Sequence, residues 1–377
     1  MIPVLLMVRE LGQGGSERQC AETARALDRC LFEPHVAAMR DTGLRAEELR
    51  AAAVPVTCFP VRSFGNLSLL TGAARMGAYL ARHRIQVVHT FDVPMNVFGV
   101  PAARFFRTPV VISSQRSYRT LINGPLRHLL RLTDLLVDAV VVNCQAMRRH
   151  LIEDERVPAA KIRLCYNGLN TEVFRPCPGP RPEILRDASL VIGAVCALRP
   201  EKDLATLVSA FAQVRPLQPG LKLLIVGSGS VLPGLEQHSR ALGVRQDCVF
   251  EPATPDVARW LRAIDIFVLP SLSEALSNSL MEAMACGCAV VASRVGGNPE
   301  IVYPGKTGLL FPAGDPGSLA AALKELLENQ EFRLRLAAAG SSFIERNFSL
   351  SQAAHRMEEI YREMVSRKTG LQIQPRA

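Results

Sequence analysis

The stretch SLSEALSNSLMEAMACG, residues 271–287, follows the apolar run 264–269 and Pro270, and together they read as a buried parallel strand turning into a helix. Either Ser277 or Asn278 can cap that helix, residues 280–285 are good helix formers, and Gly287 suits a left-handed stop. Glu274 then falls in the loop, and Glu282 lies eight positions further on, inside the helix. The free amides near Ser279 and Leu280 point to where an anion would sit. Two carboxylates beside a bare phosphate would repel it. They suit a ligand whose charged middle is flanked by neutral, hydroxyl-bearing ends, as in a sugar nucleotide.

The same strand-then-helix pattern extends in both directions. Short apolar runs at 4–8, 35–39, 87–90, 110–113 and 139–143 alternate with helical spacing, and the alternation restarts at 190–196, 221–226, 248–251 and 289–292. This predicts α/β architecture with two Rossmann-like, doubly wound parallel domains, whose ligands bind at the carboxyl ends of the strands, in the cleft the two domains leave. The proline-rich segment TEVFRPCPGPRPE, residues 171–183, can continue neither element and is the linker candidate. The expected domains are therefore 1–173 and 185–350, with 174–184 as linker. A last helix, 351–367, carries Ala354, Met357, Ile360, Tyr361 and Met364 at helical spacing and must dock on something. Residues 367–377 read as a frayed tail.

A chain of 377 residues with 48% hydrophobic and 21% charged residues is a globular protein too long for one core. Its ten cysteines show no zinc spacing and read as buried, reduced thiols of a cytosolic protein. The N-terminus lacks a basic lead and a cleavage site, so it reads as a first strand, and no window is long and apolar enough to span a membrane. The net charge of +9 is uneven, with 23 Lys and Arg against 15 Asp and Glu up to Pro176. No acid occurs between Asp92 and Asp134, where Arg104, Arg107, Arg116, Arg119, Arg127 and Arg131 fall. An anionic membrane surface or a phosphate-bearing acceptor would match that stripe, and a solvated arginine-rich face accounts for it equally. Little aromatic interleaving and no reader motif argue against nucleic acid.

The first loop, GQGGSER at 12–18, can approach a phosphate through its glycines. It departs from the dinucleotide fingerprint, because Glu17 stands where the third glycine belongs, which argues against a reductase. CALRPEKD sets Arg199 and Lys202 just past a strand end, a fork and a point charge able to neutralise a departing diphosphate. GSGS at 227–230 is a further glycine turn. His89 ends the strand VVHT, where it can hydrogen-bond a sugar hydroxyl or serve structure alone. Asn143 and Asn167 either shape the site or make turns. With no Asp-x-Asp pair and no ligand-spaced His/Cys/carboxylate cluster, neither metal nor other cofactor is expected.

These residues together resemble the retaining glycosyltransferases of GT-B fold, the large group 1 family that includes bacterial α-mannosyl and α-glucosyl transferases. GGSE at 14–17, VVHT with His89, NGLNTEVFRP at 167–176, Arg199 with Lys202, LLIVGSG at 223–229, the opening stretch and GGNPEIV at 296–302 occur in the family's order. The resemblance implies that Arg199 and Lys202 hold the donor diphosphate, Glu274 contacts the sugar and Glu282 the ribose. It places Gly14 and Gly15 near donor and acceptor, His89 beside the donor sugar, and the amides of Asn278, Ser279 and Leu280 on the phosphates. Phe91, Pro252, Ala275 and Ser277 depart from the family's usual residues around the sugar and base pockets. The implied activity is metal-independent, front-face transfer of a sugar from a nucleotide sugar to a glycan or lipid-linked acceptor, in cell-surface polysaccharide or glycolipid synthesis. The implied location is the cytoplasm, peripheral at the inner face of the membrane. The competing readings are an epimerase of nucleoside-diphosphate sugars and a catalytically silent binding or scaffold protein of the same fold.

Overall fold

The computed structural model describes residues 1–12, 14–122 and 124–370. Gln13 of the first glycine loop and residues 371–377 of the expected tail lie outside them. The chain divides into two units, Met1–Gly168 with Leu350–Ala377, and Leu169–Ser349.

The first unit is built on seven strands: β1 (Ile2–Glu10), β2 (Phe32–Arg40), β3 (Val56–Cys58), β4 (Val87–Thr90), β5 (Val110–Gln115), β6 (Ala139–Val142) and β7 (Ile162–Leu164). They pair in parallel in the order β3-β2-β1-β4-β5-β6-β7. Residues of β1, β4, β5 and β6 are buried almost throughout, which is why these strands are continuous apolar runs rather than alternating ones. Strand order reverses between β1 and β4, so the loops after those strands flank the switch point where open α/β sheets bind ligands. Register pairs Gln115 of β5 with Val142 of β6, and Arg116 and Asn143 therefore leave the sheet as neighbours.

The last helix, Leu350–Thr369, belongs to this unit and packs against helix Gly15–Ala26. Met357, Ile360, Tyr361, Met364 and Val365 join the core of the first sheet. Arg367 to Thr369 continue the helix instead of opening the tail. Arg163 from β7 clamps Glu363 with two hydrogen bonds, at 2.8 and 3.1 Å, and holds that turn in place.

The second unit holds β8 (Val191–Val195), β9 (Lys222–Val226), β10 (Cys248–Glu251), β11 (Ile266–Leu269), β12 (Ala289–Ser293) and β13 (Leu309–Phe311). Their order is β10-β9-β8-β11-β12-β13, again all parallel, and it reverses between β8 and β11. The run at 264–269 enters the sheet only at Ile266. The three strands that the apolar runs do not reveal, β3, β7 and β13, are three residues long and form sheet edges. Gly227 has a φ of +155°, and a Cβ there would lie 1.9 Å from the Cys196 carbonyl oxygen. Only glycine lets the loops after β8 and β9 press together so closely.

Candidate functional site

In the second unit the two loops at the switch point carry the charged residues. Arg199 caps the short 3-10 turn Pro200–Lys202, and Asp203, left-handed at a φ of +46°, redirects the chain into helix Leu204–Val214. The loop after β11 meets this turn where the Leu272 amide donates to the Glu201 carbonyl at 2.9 Å. Across that seam the Lys202 ammonium donates to Glu274 Oε1, and Ser271 Oγ donates to the same oxygen at 2.9 Å. Ser271 is fully buried, and its own carbonyl accepts from Ser293 Oγ at 2.6 Å, so the carboxylate is anchored from the sheet side. Burial pushes the neighbouring Cys196 thiol up to about 12, which keeps that wall of the site neutral.

Gly296 fixes the outer edge of this loop. Its φ is +52°, a Cβ there would lie 1.7 Å from the Glu274 carbonyl oxygen, and the adjacent Gly297 amide donates to Ala275 at 2.7 Å. Helix Asn278–Ala285 follows, capped by Ser277, whose Oγ accepts from the Leu280 amide at 3.3 Å. Of the two residues able to cap it, Ser277 does so. Glu282 is buried in that helix at 3% exposure, whereas the Arg199 side chain is 68% exposed and only grazes Glu201 at 4.0 Å. The structure thus joins Lys202 to Glu274 and leaves Arg199 extended into solvent.

In the first unit Gly14 caps helix Gly15–Ala26 without a side-chain hydrogen bond, and both glycines are exposed. A Cβ on Gly14 would lie 2.1 Å from Glu17 Oε2, so the Glu17 carboxylate folds over the helix start. His89 is fully buried. Its Nδ1 pairs with the Tyr361 hydroxyl at 2.7 Å and its Nε2 with Ser114 Oγ at 2.9 Å, while its ring lies 4.3 Å from that of Phe91. Burial, reinforced by the nearby Arg116 charge, holds His89 well below the ordinary histidine range, so its imidazole is neutral. Contact with a ligand would require one of the two hydroxyls to give way. Tyr361 and Ser114 are two partners that the sequence pattern does not reveal.

The arginine stripe is largely neutralised by acids from outside its own segment. Arg104 pairs with Asp138, Arg119 with Asp134, and Arg127 and Arg131 with Glu155. Glu155 is held below its usual range by Arg127 and Arg131, which outweigh its burial. Among the described residues no group of three His, Cys, Asp or Glu is placed to hold a metal ion, and no helix is long and apolar enough to cross a membrane.

Comparison with known proteins matches residues 13–173 to the family model of Glycosyltransferase Family 4 and residues 181–343 to that of Glycosyl transferases group 1. A relative from Thermobispora bispora, named D-inositol 3-phosphate glycosyltransferase, is 28% identical over 80% of this chain and 76% of its own. The GDP-mannose-dependent alpha-(1-6)-phosphatidylinositol monomannoside mannosyltransferase of Mycobacterium tuberculosis is 26% identical over 76% and 78% respectively. The chain spans about half the length of several other relatives that carry the first of these names. Among solved structures, Anabaena HepE in complex with UDP and glucose matches 96% of this chain and 99% of its own at a TM-score of 0.84, with 21% identity, a likeness of fold.

Proposed function

This chain belongs to the GT-B glycosyltransferases, and on that premise we propose that it moves a sugar from a nucleoside-diphosphate donor to a hydroxyl acceptor with retention and without metal. The observation that carries this reading is the joined pair of Lys202 and Glu274 at the switch point of the second sheet. A cation placed there neutralises charge as the diphosphate departs, and a carboxylate beside it accepts hydroxyls of the donor sugar. Arg199 is extended and unencumbered by a close acid, so it closes on the diphosphate as a second cation. The amides of Asn278 and Ser279 face the phosphates, the expected Leu280 amide being taken by the Ser277 cap, and Glu282, within its helix, takes the ribose. Gly14 and Gly15 add no side chain of their own at the start of their helix, where the Glu17 carboxylate must move aside for a ligand. His89 positions Ser114 and Tyr361 beneath this edge of the first sheet. The departing diphosphate helps take the proton of the acceptor hydroxyl, so the chain needs no nucleophile of its own.

The names of the relatives favour a glycan or an inositol-bearing lipid as acceptor and fit UDP or GDP as the carrier. A thermal-shift screen against UDP, GDP and ADP and their sugars, followed by transfer assays, tests the reading. We expect one nucleotide to raise the melting temperature. Lys202→Ala or Glu282→Gln should remove both the shift and turnover, and full turnover in both variants would overturn the assignment. Peripheral association with the inner face of the membrane is part of the same proposal. It rests on the exposed Leu129, Leu132 and Leu135 of helix Gly124–Leu136 more than on the mostly paired arginines. Replacing the three leucines by serine should abolish flotation with anionic liposomes. Wild-type protein that fails to float at low salt would sink it.

A further inference from the structure

We propose that Arg116 is the centre of an anion subsite in the first unit, where the phosphate of a polyol or sugar-phosphate acceptor binds with its hydroxyls toward Asn143. The word acceptor rests on the function proposed above. The subsite itself rests on the contrast between Arg116 and Arg119, which follow the same strand. Arg119, buried where Arg116 is only partly so, is matched by both oxygens of Asp134 at 2.6 and 2.8 Å. Arg116 has no carboxylate partner among the described residues. One of its nitrogens donates to the neutral Asn167 Oδ1 at 2.6 Å, its plane lies over the Phe91 ring at 5.1 Å, and its Nε is buried with no partner. Burial depresses its pKa, and the groups acting in the opposite sense are the thiols of Cys165 and Cys20 and the Tyr361 phenol. All three are neutral near pH 7, because burial raises each of them.

A partly buried guanidinium without a counter-charge carries a desolvation cost that a bound anion offsets. The Nε–H has a hydrogen bond left to give, and a guanidinium takes phosphate oxygens in its fork. Asn143 supplies the second observation. It is 2% exposed, its Oδ1 is buried without a partner, and it leaves β6 beside Arg116. An amide oxygen accepts from a hydroxyl and repels a phosphate, so the two orphaned groups ask for different parts of one molecule: an anion and a neighbouring hydroxyl. The helix start at Gly15 offers that anion no competing seat, since Glu17 covers it.

The test uses the full chain. Phosphorus NMR follows inorganic phosphate and myo-inositol 1-phosphate binding to Lys202→Ala, in which the second unit's cation is removed, and to Lys202→Ala with Arg116→Gln. UDP and GDP binding is measured on wild type and on Arg116→Gln alone. We expect Arg116→Gln to weaken both phosphates about tenfold and to leave nucleotide binding unchanged. Its melting temperature without phosphate should be equal to or above wild type, because an uncompensated charge has been removed. Asn143→Ala should weaken myo-inositol 1-phosphate and spare inorganic phosphate. Vesicles containing phosphatidylinositol, compared with phosphatidylcholine alone, distinguish a lipid headgroup from a soluble ester, and Arg116-dependent binding of either supports the subsite. Unchanged phosphate affinity in Arg116→Gln, no phosphate binding by the Lys202→Ala protein, or a fall in the melting temperature of Arg116→Gln overturns it. Loss of nucleotide binding in wild type would instead overturn the donor reading and leave the phosphate result standing.

Discussion

The carboxyl edges of the two sheets handle their cations in opposite ways. In the second unit Lys202 is already satisfied by Glu274, with Ser271 holding the same carboxylate oxygen. In the first unit Arg116 has only a neutral amide and an aromatic face. A paired cation must exchange partners when a diphosphate arrives, so the free energy of binding is reduced by the ion pair it replaces. An unpaired cation has no such competitor but burdens the empty protein. On the proposed function, the pairing in the second unit therefore favours a ligand that satisfies both partners at once, a diphosphate for Lys202 and sugar hydroxyls for Glu274. A bare nucleoside diphosphate satisfies only one, which favours release of the product over retention.

Removing Lys202 is the harshest test of this contrast. Lys202→Ala should lower kcat/KM for transfer by roughly 100- to 1,000-fold, the scale of losing a charge that stabilises a leaving group, read in a steady-state transfer assay. Gly296→Ala comes next. Its Cβ would collide with the Glu274 carbonyl in a left-handed backbone conformation, so the second unit should lose about 2 kcal/mol of stability, seen as a lower urea midpoint, together with activity. Glu274→Gln sharpens the comparison directly. It frees Lys202, so free UDP or GDP should bind about fivefold tighter while transfer falls, a split that calorimetry and kinetics read separately. Tighter product binding would be absent if the two residues were only a structural bridge.

The smallest effect is on pH dependence and belongs to the first unit. Burial raises Asp92 to about 6 and Glu22 to about 7. Both values stand above the ordinary 3.8 and 4.5 of the unfolded chain, so the folded state holds these protons more tightly. Their contribution is complete below about pH 4 and disappears as pH rises through about 6 and 7. Asp92 also caps helix Val93–Phe105, accepting from Met95 at 2.9 Å and from the Arg9 amide at 2.6 Å. Asp92→Asn keeps one cap acceptor and removes the titration. Its melting temperature should therefore fall less between pH 5 and pH 8 than that of wild type, measured by calorimetry.

Much of the fold is legible in the sequence because the central strands of both sheets are buried on both faces and so spell apolar runs. The edge strands β3, β7 and β13 are not legible, since three residues, even the apolar Leu309, Leu310 and Phe311, are too short a run to mark a strand and pair because a neighbour offers an edge. The amphipathic last helix is legible as a helix from Met357, Ile360 and Tyr361. That Tyr361 ends on His89 is not, because the contact joins residues 272 positions apart. The charge balance misleads for the same reason. Six arginines without a local acid read as a basic stripe, yet Asp134, Asp138 and Glu155 reach back to pair four of them.

By itself the sequence determined the two doubly wound α/β halves, the helix after Ser277 and the residue types able to grip a diphosphate and hydroxyls, because these follow from local periodicity, capping and side-chain chemistry. Only the tertiary structure decided which charges meet. Lys202 closes on Glu274 across 72 positions because parallel strands β8 and β11 are neighbours at a reversal of strand order, and a sheet's neighbours are set by topology, not by distance along the chain. The same topology brings Arg116 and Asn143 to one edge with no acid between them. Residue type supplies a charge, and the packing around it determines whether that charge is already spoken for.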